Sequence, residues 1–170
     1  MKPLQPDTLI HNPNGQPIVS SVVIDCHANR LWNMVGQFAG FDAFIPSLTH
    51  IEMIGTGVGA LRTKFFRDGN RVVEQLNSRD EQAMHMTWTT IYNTLGVARL
   101  WAAIKVEALG AHCSKVTWTI IADPWRRHRK DLNSLYKASQ TARWTMFAAC
   151  WVSSRSETAR SYSYTQWLRS

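Results

Sequence analysis

Acidic residues are few in this chain and cysteines fewer, and neither falls into a pattern that chemistry could use. Twelve Asp and Glu stand against nineteen Lys and Arg in 170 residues, a formal charge of +7. Cys26, Cys113 and Cys150 lie far apart with no CxxC pair, so they read as free thiols in a reducing compartment and not as a disulfide or zinc framework. His11, His27, His50, His85, His112 and His128 show no HxxxH spacing, and no metal site is expected. There is no GxSxG elbow, and no cysteine lies in a nucleophile signature, so covalent catalysis has no support. The opening MKPLQPDTLIHNPNG lacks the apolar segment of a signal peptide, and the longest apolar run, Trp144 to Val152, is far too short to cross a bilayer. These absences lead to the expectation of a cytoplasmic protein with no cofactor.

What is present points to a folded domain with an aromatic interior. Apolar residues make up 45% of the chain, aromatics 11%, and eight residues are Trp. The length suits one core. Residues 1–17 hold four of the six prolines and read as an irregular arm. Ile18 to Asp25 is β-branched and predicts a strand. HANRLWNMVGQF follows with Leu31, Met34, Val35 and Phe38 on one helical face, and Gly40 is expected to break that helix. FDAFIP adds one further turn before Pro46. From Leu48 to Asp123 six strand-like segments follow each other through short connections, too short for helical crossovers, so the sheet is antiparallel. After Pro124 apolar residues recur at helical spacing, predicting one long helix from near Arg129 past Met146. The domain is thus expected over 18–152, with a polar, basic tail over 153–170.

Two motifs bear on function. Gly55, Gly57 and Gly59 lead into a strand, not a helix, and lack the third glycine of GxGxxG, so they read as a turn and not as a phosphate loop. Next, Asp68-Gly69-Asn70 predicts a tight hairpin. On its second strand Val72, Glu74 and Leu76 share the more apolar face, which turns Glu74 inward, with Arg62 and Lys64 on the neighbouring strand as partners. Two readings of Glu74 stay open at this stage: a rim ion pair, or the polar end of a ligand cavity. If the Arg62–Glu74 pair lines a ligand cavity, Glu74→Gln is expected to cost little stability, because Gln keeps the shape and removes a charge to be desolvated, and Arg62→Met more, because it strands a carboxylate.

VVIDCHANRLWNMVGQF, the GTGVGALRT turn, RVVEQL with Asp80, and VTWTIIADP resemble the START-type helix-grip proteins, the SRPBCC superfamily, in its polyketide cyclase/dehydrase-like branch. The resemblance spans roughly Ile18 to Ala149. It implies an α+β helix-grip fold: a curved antiparallel sheet wrapped around the long C-terminal helix, with two short helices after the first strand. It further implies an internal cavity for a small, mostly apolar, ring-containing molecule. If the protein is an enzyme, it implies cofactor-independent cyclisation or dehydration of a polyketide-like substrate, with Glu74 and Arg62 as the catalytic candidates. The alternative is a non-catalytic carrier of lipids or other hydrophobic molecules.

Alternation alone turns Leu100, Ala102, Ile104 and Val106 inward. The resemblance instead brings Trp101 and Ala103 to the cavity, with Thr117 and Thr119 beside them and Trp118 facing away. Trp88 is a further ligand-binding candidate, and Leu135, Tyr136, Ser139 and Arg143 are expected to close the lid. For each Trp ordinary core packing is the competing reading. The run Arg126-Arg127-His128-Arg129-Lys130 reads as a solvated charged face, with contact to an anionic membrane surface as the weaker alternative; with no nucleic-acid motif beside it, nucleic acid is not expected. The sequence leaves the oligomeric state open.

Overall fold

A computed structural model describes residues 13–124. Over that span seven strands form one curved antiparallel sheet in the order β1-β7-β6-β5-β4-β3-β2. They are β1 (Ile18–Ile24), β2 (Leu48–Ile54), β3 (Leu61–Phe66), β4 (Arg71–Asp80), β5 (His85–Asn93), β6 (Val97–Gly110) and β7 (Cys113–Pro124). From β2 onward each strand pairs with the next in sequence, as short connections require. A helix, α1 (Ala28–Val35), and a 3₁₀ turn at Phe41–Ala43 carry the chain from one edge of the sheet to the other. The expected long helix, the basic run, the tail and the candidates Leu135, Tyr136, Ser139 and Arg143 lie outside the described residues, as do residues 1–12.

The helix starts where His27 caps it: the ring Nδ1 accepts the Asn29 N–H at 3.3 Å. It ends at Val35, short of the expected Gly40. The Gly36 N–H donates to the Trp32 carbonyl at 2.7 Å, and a Cβ at Gly36 would lie 2.7 Å from the Trp32 ring. Only glycine fits against that indole, and the chain leaves the helix there. Leu31, Trp32, Val35, Phe38, Phe41 and Phe44 from this connection pack onto Met86, Trp88, Ile104 and Trp118 of the sheet. Each large apolar side chain buried in this way contributes about 2 kcal/mol of transfer free energy. The face they cover is the inner face of the sheet.

Lys105 and Glu107 set the phase of β6. Glu107 pairs with Lys105 at 3.2 Å and with Lys115 at 3.0 Å on the outer face, so Leu100, Ala102, Ile104 and Val106 are buried on the inner one. Trp101 and Ala103 share parity with the charged pair and therefore face outward. The register Ala103↔Thr119, Ile104↔Trp118 and Lys105↔Thr117 puts Thr117 and Thr119 outside as well and turns Trp118 inward. The orientation implied by the resemblance is reversed for Trp101, Ala103, Thr117, Thr119 and Trp118. Carrying the first two inward would drag Lys105 and Glu107 into the core, at a cost of several kcal/mol per ion.

Candidate functional site

The Asp-Gly-Asn hairpin closes as its residues predict. Gly69 takes a φ of +85°, and the Asp68 carboxylate accepts the Asn70 N–H at 3.0 Å. The resulting register places Arg62 directly opposite Glu74 and Lys64 opposite Val72. All three charged side chains face inward, with Arg62 0%, Lys64 8% and Glu74 2% exposed. Arg62 Nε donates to one Glu74 oxygen at 2.6 Å and Lys64 Nζ to the other at 2.8 Å, while Arg62 Nη1 donates to the Phe38 carbonyl at 2.7 Å. The guanidinium carbon lies 4.0 Å from the Phe38 ring centroid, 3.9 Å from Phe41 and 4.9 Å from Trp88.

Burial favours a neutral Glu74, but two cations at contact distance outweigh it and hold the carboxyl below its ordinary range. Burial also pulls Arg62 and Lys64 below their usual values, against the attraction of Glu74. One carboxylate is shared between two cations, so the cations are the incompletely compensated members. Glu74 is therefore ionised at neutral pH with both oxygens engaged, a state suited to positioning Arg62 and Lys64 and poorly suited to donating a proton.

Beside this cluster lies an open cleft of about 490 Å³. One wall is the glycine turn, where Gly55, Gly57 and Gly59 adopt φ of +77°, +70° and +89°, a backbone that other residues resist. The opposite wall is Gln37, Phe38 and Ala39 after α1, and Ala60 and Leu76 line the cleft between them. At its polar end Glu81 accepts the Trp32 indole N–H at 2.6 Å and pairs with Arg79 at 2.5 Å. Trp32 holds the Glu81 carboxyl below its usual range, with a smaller pull from Arg79. Phe38 separates the two parts, lining the cleft while its ring covers Arg62.

The structure thus brings Arg62, Glu74 and Trp88 together on the inner face and leaves Trp101, Ala103, Thr117 and Thr119 on the other. His85 pairs with Lys105 and shares the outer face. Arg79, Glu81 and Trp32 escaped the sequence reading. Strict alternation from Glu74 sends Arg79 outward. A bulge between Leu76 and Ser78 takes up Asn77, so that Arg79 pairs with the buried Met86 and turns inward. Nothing in LNSRD announces that bulge.

Residues 16–149 match the family described as polyketide cyclase/dehydrase and lipid transport. No curated protein matches the chain in sequence. Among solved structures, XoxI from Bacillus cereus is similar at a TM-score of 0.73 and 17% identity, over 79% of this chain and 95% of that one. The Zhui aromatase/cyclase from a Streptomyces species is similar at 0.72 and 12%, over 85% and 96%. The major latex-like protein 151 of Panax ginseng is similar at 0.67 and 16%, over 79% and 97%. At these identities the likeness establishes the fold.

Proposed function

Because this chain belongs to the polyketide cyclase/dehydrase and lipid transport family, a branch of the helix-grip superfamily, we propose that it binds a small, mostly apolar, ring-containing molecule through the cleft beside the glycine turn. The observation that carries this reading is the cleft itself. Its volume of about 490 Å³ falls in the range of small-molecule sites. Its lining is largely glycine backbone and apolar side chains, with Arg79 and Glu81 among its polar groups. A ring would lie against Phe38, Ala60 and Leu76, with its oxygen functions toward Arg79. The test is titration with naphthalene derivatives followed by Trp emission, with Trp32 beside the polar end as reporter. Ala60→Leu fills the space and should weaken binding at least tenfold. Unchanged binding in that variant would place the ligand elsewhere.

A second reading, cofactor-independent cyclisation or dehydration of a polyketide-like chain, draws support from the family description and from the likeness to an aromatase/cyclase. Catalysis would then come from confinement of a reactive chain in a productive fold, with Arg79 polarising a carbonyl at the end of the cleft. Glu74 would act by positioning Arg62 and not as the proton donor. Incubation with a linear poly-β-keto thioester separates the readings: faster ring closure than in buffer supports catalysis, and quantitative recovery of the linear chain supports a carrier.

A further inference from the structure

The inner cluster has more positive charge than negative and more donors than acceptors. Among the described residues Glu74 is the one carboxylate paired with Arg62 and Lys64. Among the described residues Arg62 Nη2 is buried without a hydrogen-bond partner, and so is Trp118 Nε1. These two donors meet at the same rings. Phe41 lies 3.9 Å from the guanidinium carbon and 5.8 Å from the Trp118 ring, and Trp88 lies at 4.9 Å and 6.1 Å. The hydroxyls of Ser20 and Thr90, inner by their register with Trp118 and with Glu74, are also unpartnered. The unpartnered carbonyl oxygen of Asn77 belongs to the opposite face, where its amide donates to Thr89 at 2.7 Å. Buried donors without acceptors are costly, and a surplus cation in an aromatic shell more so.

We infer that Arg62, Lys64 and Trp118 form a subsite for an anionic oxygen group of the ligand, a carboxylate or the enolate or phenolate of a ring-bearing acid, reached from the cleft past Phe38. The inference rests on the reading that a ring-containing molecule enters that cleft, and it narrows the ligand to one carrying an acidic oxygen. Such a group satisfies both N–H donors and neutralises the second cation at once. A neutral ring satisfies neither. Burial lowers Lys64 and the neighbouring Arg62 charge adds to the effect, which a bound anion would oppose.

The test compares naphthoate with the equally sized, uncharged naphthamide on the full chain, by quenching of Trp emission. The wild type should bind naphthoate at least tenfold more tightly. In Lys64→Met, which leaves a one-to-one Arg62–Glu74 pair, that preference should fall to about twofold or less. Trp118→Phe keeps a ring but removes the indole donor, and should weaken naphthoate at least threefold relative to naphthamide. Equal affinities in the wild type, or a preference that survives both substitutions, overturn the anion subsite while leaving the ring-ligand reading intact. If neither compound binds the wild type, both fall together.

Discussion

Removing Glu74 should damage this protein more than removing either cation it holds, the reverse of what the Arg62–Glu74 pair alone suggested. Glu74→Gln leaves Arg62 and Lys64 buried without a counter-charge. Breaking a buried ion pair from one side typically costs about 3–5 kcal/mol. That is a large share of a total stability of about 5–15 kcal/mol. At about 2–4 °C per kcal/mol for a chain of this size, the midpoint should fall by roughly 10 °C. Lys64→Met instead leaves Arg62 and Glu74 as a neutral pair, and losing one hydrogen bond against one less desolvated charge should keep the change within about 1 kcal/mol of zero. Arg62→Met keeps the Lys64–Glu74 contact at 2.8 Å but loses the bond to the Phe38 carbonyl and the stacked rings, so a cost of about 1–3 kcal/mol is expected. The double variant Lys64→Met/Glu74→Gln strands one cation instead of two and should be more stable than Glu74→Gln alone. Urea unfolding at pH 7, followed by far-ultraviolet circular dichroism, gives the four changes against wild type. A loss below about 1 kcal/mol for Glu74→Gln, or equal losses for Glu74→Gln and Lys64→Met, would refute the two-cation account.

Stability should also depend on pH in two windows. Glu74 is held below its unfolded value of about 4.3, so its contribution is complete above that value and is lost as pH falls through the folded one, which acid titration of wild type against Lys64→Met will show. Lys64 is held below its unfolded value of about 10.4, so the folded state binds fewer protons there and stability should rise with pH toward that value, a rise absent from Lys64→Met. Gly57→Ala should cost about 1–2 kcal/mol through its positive φ alone, since nothing lies within 4 Å of the new Cβ. Gly36→Ala should cost about 1–3 kcal/mol through overlap with the Trp32 ring. Deleting Asn77 removes the bulge residue while keeping the pairs Leu76↔Trp88 and Arg79↔Met86, so Arg79 should stay in the cleft, ring-ligand affinity should hold within about threefold, and the loss of the Thr89 bond should cost about 1 kcal/mol in urea. Replacing Arg126, Arg127 and Arg129 with Gln should leave ligand binding unchanged; salt-sensitive binding to anionic vesicles that disappears in this variant would instead identify the basic run as a membrane contact.

The antiparallel sheet was legible because every connection after Leu48 is short, and the inward turn of Glu74 was legible because an Asp-Gly-Asn hairpin fixes the register beside it. Alternation also had the correct phase for β6, marked by Lys105 and Glu107, whereas the orientation implied by the family resemblance was reversed there. Lys64 was legible too, as a second partner of Glu74 beside Arg62. A carboxylate has two oxygens, and here each takes one cation. Arg79 was not legible, since parity carries information only along an unbroken ladder, and one extra residue at Asn77 inverts every inference beyond it. The illegible Arg79 and the proposed cleft coincide for a physical reason. A regular ladder with one covered face packs that face to core density, and the clefts form where the ladder departs from regularity. In this chain two such departures, the bulge at Asn77 and the left-handed glycine turn after β2, border the cleft. Leu76 lines it as alternation predicts, whereas Arg79 reaches it through the bulge, which residue alternation cannot report.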